Sequence, residues 1–121
     1  MDKNIDLNII YKELISWTTP RTYEELSLGY EVRTGLWCNP QRWHSYLKKL
    51  GTSLYFASPL SPPLCALVVS NASKRPRDTF WGSAPHIPSR HDKLEIRILQ
   101  WQEMVNKVLN HSWPEQMPIK E

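Results

Sequence analysis

The sequence has little cysteine, little glycine and no long apolar run. Its two cysteines, Cys38 and Cys65, form no C-x-x-C pair, so neither a disulfide framework nor a cysteine-based structural zinc site is predicted. None of its four glycines belongs to the Gly-rich loop that cradles nucleotide phosphates. No stretch approaches the roughly eighteen apolar residues of a membrane span. The sequence therefore predicts one globular domain over residues 1–121, without a cofactor or a membrane partner.

No signal peptide is expected at the beginning of the sequence. Residues 1–4 and the mixed stretch after them contain no apolar core of the kind found in signal peptides. With two isolated cysteines, this composition predicts a cytoplasmic protein.

Acidic residues are missing from a long central stretch. The net charge is +3, but residues 1–31 hold six acids and three bases, a balance of −3, so the rest of the chain carries +6. No acid lies between Val32 and Asp78. This distribution favours a polyanionic partner, with duplex DNA first, whose binding would weaken with salt. The bases gather at Lys48, Lys49, Lys74, Arg75 and Arg77.

Two short helices are predicted between residues 22 and 51, which is the outline of a helix-turn-helix. Thr22 and Glu25 have the spacing of a capping box, and Gly29 is the predicted stop of the first helix. The second helix is predicted to begin at Asn39 and Pro40, after a linker of about nine residues, and to end at Gly51.

The second helix has one apolar and one polar face. At 100° per residue, Trp43, Tyr46, Leu47 and Leu50 fall on one side. A solvated charged face is common on any surface helix, but the missing acids favour a binding surface. The other side carries Gln41, Arg42, His44, Ser45, Lys48 and Lys49.

The remaining elements complete a small α+β fold. Apolar spacing predicts a helix over residues 6–17, and the apolar run 64–69 reads as a buried strand. Together with the apolar run 54–57, this strand predicts a short β-hairpin over residues 52–70. A basic loop or hairpin wing is predicted for residues 70–91, and a C-terminal helix for residues 92–110. The predicted fold is a small winged-helix-like domain of three to four helices with a short hairpin.

The order of several motifs resembles a known family of DNA-binding proteins. These motifs are R-T-Y-E-E-L at 21–26, P-Q-R-W at 40–43, C-A-L-V-V at 65–69, Trp81-Gly82, and residues 94–103. Over residues 8–103 the chain resembles the winged-helix domain of the O6-alkylguanine-DNA alkyltransferases and of their catalytically silent relatives, the alkyltransferase-like proteins. The resemblance implies that Tyr23 presses on the backbone beside a flipped base and that Arg42 fills the gap left by the extruded nucleotide.

The sequence departs from this family at the cysteine that accepts the alkyl group. Active members carry P-C-H-R-V, whose polar residues generate the thiolate. In this chain Ala66 and Leu67 follow Cys65. We therefore expect Cys65 to be an unreactive core residue with a high pKa, and no catalytic residue is predicted unless the alkyltransferase interpretation holds.

Other enzymatic chemistry has weaker support. The four histidines share no metal-ligand spacing beyond the loose pair His86 and His91, so no metal site is predicted. Asp78 with Glu95-Ile96-Arg97 is only loosely similar to a nuclease cluster, because that chemistry usually has lysine at the place of Arg97. An enzyme, either a nuclease or an alkyltransferase acting through Cys65, is the third hypothesis.

The function predicted first is non-catalytic DNA binding of the alkyltransferase-like type. The predicted contacts are Tyr23, Gln41, Arg42, Ser45, Lys48, Lys49, Lys74, Arg75 and Arg77. The alternative is a compact protein-binding module, or an inhibitor of phage or plasmid type. That module would use exposed tryptophans together with basic residues, whereas Trp17, Trp43 and Trp101 lie on apolar stripes and are expected in the core. The tryptophans assigned to the alternative are Trp37, Trp81 and Trp113.

Overall fold

A computed structural model describes residues 5–118 of the chain, so residues 1–4, on which the expected lack of a signal peptide partly rests, lie outside the described residues. The described part contains four α-helices and a two-stranded parallel sheet, which confirms a small α+β architecture. The helices are α1 (Leu7–Ile15), α2 (Tyr23–Thr34), α3 (Trp43–Ala57) and α4 (Leu94–Asn110); the strands are β1 (Arg21–Thr22) and β2 (Val68–Val69). Short 3-10 helices cover Pro40–Arg42, Leu64–Leu67 and Asp78–Phe80.

The start of α2 agrees with the sequence, but its predicted end is wrong. The backbone N–H of Glu25 donates to Thr22 Oγ1 (3.1 Å) and that of Thr22 to Glu25 Oε1 (3.2 Å), which completes the capping box. The helix continues through Gly29 and ends at Gly35, whose φ of 75° is left-handed. Glycine at position 29 leaves room for the Glu13 carboxylate, which a Cβ there would displace. The linker to the next helix therefore shrinks to residues 35–39.

The next helix begins as predicted and runs past its predicted end. The Asn39 side chain accepts a hydrogen bond from the Gln41 N–H (2.9 Å), and Pro40 opens a 3-10 turn that leads into α3. The helix continues through Gly51 to Ala57 because Leu54 extends its buried apolar stripe. Residues 54–57 are thus helical, and the predicted β-hairpin over residues 52–70 is wrong.

The second apolar run is buried as expected, but it forms a different structure. Residues 64–67 make a 3-10 turn, and only β2 is extended. β2 pairs in parallel with β1, with Arg21 opposite Val68 and Thr22 opposite Val69. Within residues 5–118 the segment 70–91 contains turns and one 3-10 helix, so the hairpin-wing version of this loop is also wrong.

The last helix closes the core. α4 begins at Leu94 without a side-chain cap, slightly after the predicted start at residue 92. The Trp101 Nε1–H donates to the Ala66 carbonyl (2.8 Å), which ties α4 to the turn before β2. Buried side chains from all four helices form one apolar cluster. None of the helices within residues 5–118 has the length and apolar character that crossing a bilayer requires. The largest fully buried side chains include Trp43, Tyr11, Tyr30, Ile10 and Leu14.

Candidate nucleic-acid interface

A buried polar network fixes the start of α3. The Trp43 Nε1–H donates to Ser27 Oγ (2.8 Å), and the Ser27 hydroxyl donates to the Cys38 carbonyl (2.6 Å). Trp43 is fully buried and packs edge-on against Tyr30, with ring centroids 5.6 Å apart. Since Ser27 and Tyr30 belong to α2, these contacts hold the two helices in a fixed relation. The outer face of α3 is therefore presented on a rigid support.

We define the α3 outer face as the exposed polar side chains between residues 41 and 49, in the 3-10 turn and the first half of α3. Trp43, Leu47 and Leu50 are buried on the opposite side, as the periodicity predicts. Tyr46 lies at the edge, with Lys49 Nζ 6.0 Å from its ring centroid. Part of this face forms an open depression of about 330 Å³ lined by Arg42, Ser45 and Tyr46. The α3 outer face consists of Gln41, Arg42, His44, Ser45, Lys48 and Lys49.

A small cavity lies between α3 and the 3-10 helix at residues 78–80. Cys65 lines it together with residues from α2, α3 and the basic loop. Its volume is about 20 Å³, which is room for about one water molecule. A nucleobase does not fit into this cavity in the structure described. Other residues around it are Tyr23, His44, Lys48, Thr79 and Phe80.

Tyr23 is not a surface residue, although the resemblance implies a contact with DNA. It is only 4% exposed, and the Arg77 guanidinium covers its ring at 3.9 Å from the centroid. Burial raises the pKa of Tyr23, while a hydrogen bond from the Arg77 backbone and the Arg77 charge oppose that rise. The group that meets solvent at this position is therefore Arg77, and Tyr23 serves as its platform.

Cys65 is a buried core residue, as its apolar neighbours in the sequence predict. It is 6% exposed, and its thiol donates to the Leu47 carbonyl with an Sγ to O distance of 3.4 Å. Burial raises the pKa of Cys65 to about 12, although a hydrogen bond with the Gly51 backbone acts in the opposite direction. Neighbouring Ala66 and Leu67 are buried as well. Burial therefore favours the protonated thiol over the thiolate.

The other predicted basic contacts lie in two different surroundings. Lys74 is exposed, with a φ of 58°, and its Nζ donates to Asn71 Oδ1 (2.9 Å). Arg75 is half-buried and lines a second cavity beside α4, with Arg97 and Trp101. The structure therefore places Arg77 over Tyr23 of α2 but groups Arg75 with α4. The sequence pattern of bases could not separate them.

Only one of the three tryptophans proposed for partner binding is highly exposed. Trp37 is 52% exposed. Trp81 is half-buried and packs edge-on against Phe80. Trp113 is also half-buried, and its Nε1–H donates to the Val108 carbonyl (3.0 Å) near the end of α4. Both of these tryptophans thus pack against the fold, which their positions in loops did not indicate.

The histidines and acids show no metal centre in the described part of the chain. Within residues 5–118 no group of three or more His, Cys, Asp and Glu side chains is placed to hold a metal ion. The Asp78 carboxylate, part of the nuclease hypothesis, accepts from Arg90 Nε (3.3 Å). Arg97, the other part, donates to the His91 and Asp92 carbonyls.

Comparisons with known proteins give no further guide to function. No protein-family model, no curated protein and no solved structure was found to match this chain.

Proposed function

We propose that this protein binds duplex DNA without catalysis, through the α3 outer face. The observation that carries the proposal is the division of α3 into a fully buried face and an exposed polar face. Trp43 anchors the helix in the core, and Lys48 and Lys49 project from the opposite side. A rigid helix with basic and amide side chains on its free face is the element that most often enters a DNA groove.

The charge distribution supports the same partner. Between Val32 and Arg77 the chain carries seven bases and no acid. Repulsion from carboxylates of that segment is therefore absent, and basic side chains can neutralise phosphates by releasing counterions. Arg77 adds a cation over the ring of Tyr23, and Tyr23 lines the same small cavity as His44 and Lys48 of the α3 outer face. The seven bases are Arg33, Arg42, Lys48, Lys49, Lys74, Arg75 and Arg77.

The state of Cys65 and the small cavity support binding rather than chemistry. A thiol whose pKa is about 12 is protonated at neutral pH and is a poor nucleophile. A cavity of about 20 Å³ has no space for an extruded purine. We therefore infer that DNA is bound at its backbone and groove edges, with the duplex stacked.

The main experiment is DNA binding as a function of salt, measured by fluorescence anisotropy of a labelled duplex. Four phosphate contacts predict a slope of log K against log salt of about −3.6. Lys48→Gln with Lys49→Gln should reduce the magnitude of the slope by about 2 units. The matched control is Lys93→Gln with Lys107→Gln, which removes the same charge at exposed positions before and within α4. A slope near zero, or an equal loss in the control, would refute the proposal.

A second measurement separates groove binding from base extrusion. Arg42→Ala and Lys74→Ala are compared on an intact duplex and on a duplex with an alkylated or mismatched base. Under groove binding, each variant loses the same affinity on both duplexes. A loss for Arg42→Ala confined to the damaged duplex would instead indicate that Arg42 replaces an extruded base, because only that role depends on lost stacking.

A second candidate function, binding of a protein partner, is favoured by one observation. Leu28 and Val32, one turn apart on α2, are 54% and 87% exposed, and Trp37 after this helix is 52% exposed. Large exposed apolar side chains can mark an interaction site. Val32→Ser and Trp37→Ser should leave DNA affinity unchanged if the α3 outer face is the DNA site. A loss of DNA affinity in both variants would contradict that assignment.

A further inference from the structure

A second cavity, which we call the α4 cavity, lies between the basic loop and α4. It is lined by Arg75, Asp78, Trp81, Arg97 and Trp101, among others, and has a volume of about 140 Å³. Residues 78–81 separate it from the small cavity beside α3. Thr79 and Phe80 line the cavity beside α3, whereas Asp78 and Trp81 line the α4 cavity. The α4 cavity is therefore a separate site from the α3 outer face.

Two arginines on the α4 cavity have no carboxylate partner in the described part of the chain. Between residues 5 and 118, the ion pairs within 4 Å involve other bases, and Asp78 itself pairs with Arg90. The Nη1 atom of Arg97 donates to the carbonyls of His91 and Asp92, the latter at 3.1 Å, which holds the guanidinium in place. Two guanidinium groups that lie around one cavity and have no carboxylate partner favour the binding of an anionic ligand. Each group can donate several N–H hydrogen bonds to that anion.

Two indole rings complete the lining. Trp101 is fixed by its hydrogen bond to the Ala66 carbonyl (2.8 Å), and Trp81 by its edge contact with Phe80 at 5.3 Å between centroids. Aromatic side chains held in this way lose little conformational entropy when a planar ring packs against them. The lining therefore combines flat apolar surface with positive charge.

We propose that the α4 cavity binds a small planar ring that carries an anionic group, a carboxylate or a phosphate. The volume favours a single ring, because a cavity of about 150 Å³ accommodates benzene. The two arginines supply donors for the anion, and the two tryptophans supply apolar surface for the ring. Free aromatic acids and the terminal nucleotide of a nucleic acid share this chemistry, so the experiment includes both sources.

The probes are benzoate, phenyl phosphate and a short single-stranded oligonucleotide with or without a 5′-phosphate. Binding is followed by the indole N–H resonances of Trp81 and Trp101 in a heteronuclear NMR titration. Benzyl alcohol, which lacks the charge, and cyclohexanecarboxylate, which lacks the planar ring, are the ligand controls. Saturable shifts with benzoate or phenyl phosphate alone indicate a free aromatic acid. Tighter binding of the 5′-phosphorylated oligonucleotide than of the unphosphorylated one, lost in Arg75→Gln, indicates a nucleic-acid end.

The variants test the cavity itself. Arg75→Gln should weaken the tightest probe about tenfold, since a hydrogen bond between charged groups is lost. Trp81→Leu should weaken the aromatic probes but not cyclohexanecarboxylate. Lys93→Gln is the matched control, because it removes an equal charge at an exposed position outside the lining. Absence of saturable binding at millimolar probe, or equal losses in Arg75→Gln and Lys93→Gln, would refute the proposal. The dispersed indole resonances of each variant report that it remains folded.

Discussion

Replacing Gly29 by alanine should destabilise this protein, although the same change stabilises most helices. Gly29 lies in the middle of α2, where alanine has the better helix propensity by about 1 kcal/mol. The new Cβ would collide with Glu13 Oε2 and would lie 2.9 Å from Glu13 Oε1. The Glu13 side chain must therefore move away, and the sign of the effect depends on what it loses.

Glu13 holds two partners. The Trp17 Nε1–H donates to its Oε2 (2.8 Å), and Arg33 Nε donates to its Oε1 (2.7 Å). Loss of the hydrogen bond from a buried indole to a carboxylate costs about 1.5–3 kcal/mol. The Arg33 ion pair is partly exposed, at 35% and 14% of the two side chains, and adds about 0.2–1 kcal/mol. These losses exceed the gain in propensity, so we expect a net destabilisation of about 1–2 kcal/mol.

The test is a double-mutant cycle measured by urea denaturation. In a Glu13→Ala background the obstruction is gone, so Gly29→Ala should stabilise the protein by about 1 kcal/mol. Gly51→Ala is the matched control in α3, because its Cβ would lie 3.7 Å from Ala84 Cβ, an ordinary contact, and it should stabilise the wild type. If Gly29→Ala stabilised both backgrounds equally, the assigned role of Glu13 would be refuted.

Three further predictions concern buried polar groups. Ser27→Ala leaves the Trp43 indole N–H and the Cys38 carbonyl unpaired and should cost about 2–4 kcal/mol in urea denaturation; a cost below about 0.5 kcal/mol would contradict this. With a pKa of about 12, Cys65 should react with a thiol reagent only after denaturation and show no added methyl group by intact mass after incubation with an O6-methylguanine duplex; a stoichiometric methyl would overturn the non-catalytic proposal. Burial lowers the pKa of His86 from 6.5, so the folded state binds fewer protons and the free energy of unfolding should fall as the pH drops below about 6.5. His86→Gln should make the free energy of unfolding depend less on pH. An unchanged pH profile in this variant would contradict the assignment of the effect to His86.

The elements that the sequence predicts well are those that depend on neighbouring residues. The capping box of Thr22 and Glu25 and the cap at Asn39 involve atoms three residues apart or fewer, and both are present. The predicted helix ends at Gly29 and Gly51 are wrong because the surroundings of these glycines are made by residues distant in the sequence. Their neighbours in space are Glu13 in one case and Ala84 in the other, and no local pattern reveals such contacts.

In the candidate site, too, local patterns in the sequence predict some features and tertiary contacts determine the others. Periodicity along α3 predicts which side chains of the α3 outer face are exposed, because burial of Trp43 fixes the rotation of the helix. The Arg77 guanidinium lies over the ring of Tyr23, a residue 54 positions earlier in the chain. Arg75 and Arg97 line the same cavity only because of how α4 packs against the basic loop. These contacts are products of the tertiary fold, so the sequence shows the residue types but not their grouping.

The parallel pairing of β1 with β2 has a consequence for the order of folding. Arg21 lies opposite Val68, 47 positions along the chain, and closing a loop of that length has an entropic cost that grows with length. Each strand has only two residues, so few hydrogen bonds offset that cost until α2 and α3 have packed. We therefore expect the sheet to form after the transition state. Val68→Ala should speed unfolding in stopped-flow experiments while changing the refolding rate little; equal changes in both rates would place the strand pair in the folding nucleus.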